Sequence, residues 1–586
     1  MTVQFIKRPC GASLCRAWRE PGAPLCRGIK PFSRLAPEAG RRAAGYRGGG
    51  FFTYWDRKNI EIRQEFGARE EAMFNRGKRA QKVQQEFDRR ISELGDALSE
   101  KAVSPSLKDN MVLTKRLFDG MDLIKYKSLT VKGASLDCFL MFCDGMVDNE
   151  MINQSIVRPL MVRKVEGDGP VLDALAAQVL QVADMRRETR YSEIVREVMS
   201  GNTVLFVDTC AEAIVLSTKD YVVRAVDEPE NEKSLVGPRE GFTESLLHNL
   251  SQIIRRVHTN ELKVKMLTIG RRTKTSVCVA YFDSLVDKKL LGRLLDQLNA
   301  IDIDGILDVN YITELIRDNK YTVFRTTGYT ERPDTVIGKL LEGRMAIFVD
   351  GTPMVLTVPY FFIENFQSSE DYYFNFFYSS FARLIRILAF FLTVTVPAFY
   401  ISIVAFHQEM LPLNLLIRIA QEQQAVPLPA ALEAVIMLLI FDVLRETGVR
   451  MPSNIAQTLS IVGVLVIGES AVQANLVSAP MIIIVAATGI TNLLVPKLNA
   501  PVIFWRFTLL AFASAFGFFG FAIGFSLMIM QINNLSSLGV EQTVLSGQFR
   551  VPANEDILVR LPWFLLNKRP PMITSNFTRQ GGGSDG

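Results

Sequence analysis

In an apolar run, chemistry is carried by whatever polar residues the run tolerates. Residues 445–496, RETGVRMPSNIAQTLSIVGVLVIGESAVQANLVSAPMIIIVAATGITNLLVP, hold Gly, Ser, Gln, Asn and Glu in a stretch apolar enough to enter a bilayer. Polar groups in hydrocarbon are expensive and usually face a cavity or another protein segment. On a helix at about 100° per residue, Gln457, Ser460, Ile461, Val464, Gly468, Ala471 and Asn475 fall within roughly 60° of one direction. The stripe is polar at both ends and apolar at Ile461 and Val464, the pattern of a pore whose hydrophobic centre sheds water when closed. Glu469 points about 120° away from it, toward an outer mouth or a neighbouring helix. The competing reading is an ordinary helix contact built on small residues.

Other candidate groups read as structural. Asp144, Asp148, Asp283, Asp287 and Asp350 each follow an apolar run, where Asp makes turns or caps the next helix more often than it binds metal or pairs for catalysis. The seven cysteines show no CxxC spacing, so reduced thiols are expected rather than a zinc site. Only His248, His258 and His407 could serve a histidine-dependent site. GxxxxGKS/T, GxSxG and HExxH are absent, so the chain is read as a non-enzyme with no catalytic residue, metal or cofactor.

The elements that position these residues divide the 586-residue chain. Residues 1–50 carry ten basic and two acidic residues, a net of +8 within an overall +5. They read as a basic disordered extension, and the rest offers no broad basic face for nucleic acid. Residues 51–105 read as a charged helical segment, 106–220 as a first α/β subdomain, 221–264 as a connecting helix and 265–372 as a second subdomain. The subdomains are linked by an echo: FCDGMVDNEMI (142–152) returns as YFDSLVDKKLL (281–291), and VLFVD (204–208) returns as AIFVD (346–350). Asp144 and Asp283 differ by 139 positions and Asp208 and Asp350 by 142, which points to two related units. The fold class expected is thus a cytoplasmic α/β region of two related subdomains followed by an all-α polytopic membrane domain.

The membrane domain is expected over 373–531, with four to five spans at 384–406, 430–444, 454–468, 478–495 and 503–530, and an amphipathic segment at 411–429. Tyr372, Tyr373, Arg383 and Arg386 are expected to anchor the first span at the headgroup boundary, on the cytoplasmic side. Five spans leave the tail, 532–586, outside, although Arg550, Arg560, Lys568 and Arg569 favour the inside.

The chain resembles the A subunit of GerA-type spore germination receptors. The likeness is carried by DGMVDNEMINQSIVRPLM (144–161), GPREGFTESL with IIRR (237–246, 253–256), EGRMAIFVDGTPMVLTVPYFFIENFQSSEDYY (342–373) and RETGVRMP with QTLSIVGVLVIGESAVQANLVSAPM (445–452, 457–481). Ala456 stands where the family usually has Gly, and Glu469 where it usually has Gln. The resemblance implies a subunit in the inner spore membrane, working with a transporter-like B subunit and a lipoprotein C subunit in contact with lipid. It also implies a homo-oligomeric ion channel opened in response to nutrient germinants. The alternatives are a secondary transporter subunit, which needs more spans and internal membrane repeats, and a membrane-tethered signalling or scaffold subunit without a pore.

Overall fold

The computed structural model describes residues 101–132, 136–164, 170–220, 229, 232, 234–450, 468–543, 556, 559–566, 569–570, 573–574 and 576. The first repeat comprises α1 (Leu107–Leu117), β1 (Ile124–Val131), β2 (Leu136–Cys143), β3 (Met185–Glu188), α2 (Tyr191–Met199), β4 (Thr203–Val207) and β5 (Ala213–Leu216). The second comprises α3 (Leu246–Arg256), β6 (Leu262–Ile269), β7 (Thr275–Phe282), α4 (Lys288–Asn299), α5 (Val309–Leu315), β8 (Gly328–Thr330), α6 (Pro333–Leu341), β9 (Met345–Val349) and β10 (Val355–Val358). The sheets are antiparallel with the same strand order, β1-β2-β4-β5-β3 and β6-β7-β9-β10-β8. Their registers correspond too, Cys138 opposite Val207 and Val277 opposite Val349.

The central strands are continuous apolar runs because both faces are covered. Phe139, Met141, Val204 and Phe206 face one core, shared with Cys278, Ala280 and Phe348 of the second sheet and with α1, α2, α3 and α6. Cys138, Leu140, Leu205 and Val207 face a second core, and Val277, Val279, Ile347 and Val349 a third, against α4 and α5.

The aspartates do structural work, and in duplicate. Asp148 caps the helical turn at Asn149–Met151 and Asp287 caps α4. Asp208 accepts from Leu107 N, and Asp350 from Leu246 N, each at 3.1 Å at the first residue of the helix beginning its own repeat. Asn110 exchanges hydrogen bonds with the backbone of Ser104 (3.0 and 2.7 Å), as Asn249 does with Thr243 (2.7 and 2.5 Å). The helix expected as a connector, α3, is therefore the counterpart of α1 and opens the second repeat.

The helical bundle comprises α7 (Phe376–Phe406), α8 (Leu413–Ala425), α9 (Ala430–Arg450), α10 (Ala479–Leu493) and α11 (Asn499–Asn533). By length and composition α7 and the stretch holding α11 suffice to cross a membrane, while α8 and α9 qualify only as a pair bent by 75°. The α11 stretch is not the single long span expected at 503–530. It reverses at Gly517 (φ 61°, ψ −139°). Trp505 Nε1 donates to Gln531 Oε1 at 2.8 Å, where 26 residues of straight helix would separate them by about 39 Å. Positive φ calls for glycine at the reversal, and a Cβ there would lie 2.8 Å from Phe406 at the end of α7. Gly520 and Gly524 let the two arms close.

The second arm thus returns the chain to the sheets. After it, β11 (Ser536–Ser537) and β12 (Val540–Glu541) form a small hairpin on the second repeat. There Arg293 donates to Leu538 O at 2.6 Å and Ser537 to Thr326 O at 2.6 Å. The apolar run 503–530, expected as one long span, is thus two antiparallel arms.

A cysteine pair at Phe512 and Gly524 tests the reversal. A Cβ on Gly524 lies 3.5 Å from Phe512 Cβ, within disulfide range, whereas a continuous helix would hold these positions about 18 Å apart. Oxidation should close an intramolecular bridge, read by non-reducing peptide mapping; failure to bridge in the folded protein would refute the hairpin.

Candidate functional site at the junction of sheets and bundle

The predicted pore stripe is only partly visible. Gln457, Ser460, Ile461 and Val464, and Ala456 beside them, lie outside the described residues. Gly468, Glu469 and Ala471 sit on a helical segment, 468–473. Ala471 packs on the cluster joining α9 and α10, while exposed Glu469 accepts from Gln473 at 3.1 Å. Asn475 is not on that helix. It takes φ 54°, with Leu476 N bonded to Ala471 O and Asn475 N to Val472 O, the Schellman ending that favours Gly or Asn. The helical stripe therefore stops short of Asn475.

The neighbouring helices α9 and α10 are placed by polar contacts near both of their ends. Glu433, at the start of α9 and almost fully buried, accepts from Ser478 N (2.6 Å) and Oγ (2.7 Å) just before α10. Two to three turns along, a Cβ on Gly489 would collide with Phe441, so α9 and α10 run parallel. At the other end of α9, Arg445 donates to Asn499 at 2.7 Å, and Arg506 pairs with Asp442. The chain thus leaves α9 at one end of the bundle and enters α10 at the other.

Buried charge is concentrated at the junction between the second repeat and α7, where Arg332, Arg344, Glu364, Asp371 and Arg383 are all buried. Arg383 is fully buried, 3.0 Å from Asp556 Oδ1 and 3.5 Å from Asp371 Oδ2. Arg386 holds both oxygens of Asp371 at 2.9 Å, and Tyr372 donates its hydroxyl to Asp556. Arg560 donates to Phe374 O at 3.2 Å, and its own backbone N–H goes to Ser380 Oγ at 3.1 Å. Arg383 cannot face a headgroup, which corrects its expected role as an anchor. Tyr373 is exposed, but its hydroxyl donates to Asp334, which also holds Arg332 at 2.8 Å.

Deeper in the junction, Glu364 accepts from Phe361 N at 2.8 Å and pairs with Arg344 and with Lys339 at 2.9 Å. Burial alone would raise its pKa, yet Arg344 and Lys339 outweigh burial and hold it below the ordinary glutamate value. Burial and the nearby Asp556 push the Tyr372 hydroxyl well above its usual pKa. Burial likewise raises the Cys143 thiol to about 12, so it stays an unreactive thiol at neutral pH. Among the described residues no group of His, Cys, Asp and Glu could hold a metal ion. The paired charges of the junction hold the second repeat, α7 and the tail together.

Sequence reasoning missed this junction network. The alternation of Asp371, Arg383 and Arg386 around an apolar boundary was a usable signal, but Asp556, more than 170 positions beyond Arg383, gave none.

A soluble two-repeat fold bonded through buried charges to an apolar helical bundle defines a polytopic membrane protein. The sequence profile described as Bacillus/Clostridium GerA spore germination protein matches residues 112–572, and the chain belongs to this family, the A-subunit family of germinant receptors. Relatives include the uncharacterised membrane protein YfkQ of Bacillus subtilis, 38% identical over 82% of this chain and 93% of its own. Spore germination protein KA of the same organism is 37% identical over 82% and 89%, and GerLA of Bacillus cereus 31% over 76% and 91%. A crystal structure of the N-terminal domain of the A subunit of the Bacillus megaterium spore germinant receptor GerK3 aligns with 45% of this chain and 98% of that one, at 30% identity and a TM-score of 0.36.

Replacing Arg383 by Met should cost about 2–3 kcal/mol, toward the low side of the cost of breaking a buried pair, because Asp371 keeps Arg386 and the half-buried Asp556 keeps the Tyr372 hydroxyl. Unfolding of the detergent-solubilised chain measures this, and a loss below about 1 kcal/mol would mean that the pairing is solvated. Glu364, with its depressed pKa, adds stability that is complete above the unfolded value near 4.5 and lost as pH falls through the folded value. Glu364→Gln should therefore flatten the acid limb of stability against pH.

Proposed function

We propose that the chain is the membrane-embedded A subunit of a nutrient germinant receptor in the inner spore membrane, and that several copies assemble into an ion channel opened when germinant is sensed. Its partners are further copies of itself, a transporter-like B subunit and a lipoprotein C subunit. The observation that supports the channel reading is the parallel course of α9 and α10, which puts the end of α9 and the start of α10 at opposite ends of the bundle. In a ring of copies Gln457, Ser460, Ile461, Val464, Gly468 and Ala471 would line the pore, with a hydrophobic constriction at Ile461 and Val464. Glu469, exposed in the single chain, is available at a mouth or to a neighbouring copy.

The soluble repeats face the cytoplasm in this reading. Arg445, Lys497 and Arg560 lie at the end of the bundle nearest the sheets, with Lys497 3.6 Å from Glu232. Positive charge at helix ends favours the inside. The junction then couples motion of the second repeat to α7, as expected of an element that switches between packed arrangements.

Val464→Ser should wet the constriction. In liposomes it should raise leak conductance with assembly intact, and in spores it should trigger germination without nutrient. Unchanged conductance in a normally assembled variant overturns the pore assignment.

Sidedness has its own check. Cysteines introduced at Tyr321, 94% exposed on the second repeat, and at Ser584 in the tail should both be shielded from an impermeant thiol reagent in intact vesicles of native orientation, and both react once the membrane is opened. Labelling of Ser584→Cys alone from outside would restore an odd number of crossings.

A further inference from the structure

Where α9, α10 and the first arm of α11 meet, at the end of the bundle nearest the sheets, four side chains offer more hydrogen-bonding capacity than their neighbours use. Arg506 has no exposed surface and pairs with Asp442 through Nη2, which leaves its Nε and Nη1 bare. Arg445 donates to Asn499 at 2.7 Å through Nη2, and its Nη1 is bare. Asp442 Oδ1 and both amide atoms of Asn492, a residue with no exposed surface, complete the set. Among the described residues none of these six buried atoms has a hydrogen-bonding partner. Buried polar groups left without a partner are rare in native folds, so six on four side chains call for an occupant.

Helix packing brings these groups together. Phe441 of α9 meets α10 at Gly489. Arg445 lies four residues beyond Phe441, and Asn492 three beyond Gly489, so each continues the contacting face of its helix by one turn toward the sheets. On α11, Arg506 stands one turn from Leu510, which packs with Met481 and Val485 of α10, and it reaches α9 at Asp442.

Charge decides what the occupant is. Two guanidiniums, Arg445 and Arg506, share one carboxylate, Asp442, and the other bonded partner, Asn499, is neutral. Glu446, next in the chain, is exposed and pairs with Arg450 at 2.7 Å. Of the six bare atoms, the four nitrogens are donors and only two oxygens accept. Water would satisfy the donors yet leave one positive charge uncompensated in an apolar bundle, whereas an anion answers both.

We infer that Arg445, Arg506 and Asn492 bind a small monovalent inorganic anion of the chloride class, which ties α9 to α10 and α11. The lack of exposed surface at Arg506 and Asn492 favours a bare ion over the bulkier phosphate of a lipid headgroup.

The test is thermal unfolding of the full chain in detergent, with chloride exchanged for gluconate at constant ionic strength so that general screening does not change. Wild type should gain about 1–2 °C in Tm for each tenfold rise in chloride above its dissociation constant, and bromide should replace chloride. Arg445→Gln removes the excess charge and should abolish this dependence. Asn492→Leu removes the bare amide, so it should melt no lower than wild type in gluconate and need about tenfold more chloride for the same gain. Should Arg445→Gln fail to fold, Asn492→Leu and a bromide soak remain, the latter expected to give an anomalous-scattering peak between Arg506 and Asn492 in crystals of the wild type. A wild-type Tm indifferent to chloride, an undiminished chloride dependence in a folded Arg445→Gln, or no bromide peak at this place overturns the inference. So does stabilisation by added phosphatidylglycerol that abolishes the chloride effect, because a lipid phosphate then fills the site.

Discussion

Arg383 is the constraint on which much of this arrangement depends. A guanidinium with no exposed surface must be met by carboxylates, or the fold gives back several kcal/mol of desolvation. The two carboxylates that meet it come from Asp371, before α7, and from Asp556, beyond the last arm of the bundle. Satisfying one side chain therefore fixes where the bundle begins, where the second repeat stops and on which side the tail arrives. The reversal at Gly517 is the backbone device that makes this possible, since a straight α11 would deliver Asp556 to the wrong end.

Duplication supplied the soluble fold, and divergence supplied the junction. Shifted back by the 142 positions that relate α6 to α2, Asp334, Lys339, Glu342 and Arg344 fall on Ser192, Glu197, Ser200 and Asn202. In the first repeat Asn202 answers Glu197 within its own turn. In the second, Arg344 reaches Glu364 in the segment leading to α7. The sheets, caps and turn geometry are common to both copies, so these charges are not needed to fold the unit. They are needed where the unit meets the bundle.

This difference marks what was legible in the sequence. Strands such as DCFLMF are read from short, doubly buried apolar runs, and the repeat from the spacing of Asp144 with Asp283 and Asp208 with Asp350. Those signals are local, or they copy one another. The span pattern was readable as hydropathy, but hydropathy is blind to direction. A 28-residue apolar run is equally apolar straight or folded, and only the left-handed glycine, with Gly520 and Gly524 behind it, separates the two. Asn475 was misplaced for a related reason, because helical projection assumes a helix that its own positive φ ends. The Arg383 site was illegible because its second carboxylate lies so far along the chain.

The buried polar groups of the bundle follow one rule with different consequences. Glu433 is almost fully buried, and Ser478 donates both its N–H and its hydroxyl to one oxygen, Oε1, so this end of α9 is tied to α10 by neutral donors. At the opposite end, Asp442 faces Arg506 and Arg445 reaches Asn499, so α9 is tied there to the first arm of α11 through charge. Intramembrane ion pairs are costly to separate, whereas a carboxylate held by a hydroxyl and one amide can exchange those donors for water at lower cost. The end of α9 near the soluble repeats is thereby the firmer one, and the far end, beside the turn that Asn475 closes, is where the bundle can open with the smaller penalty.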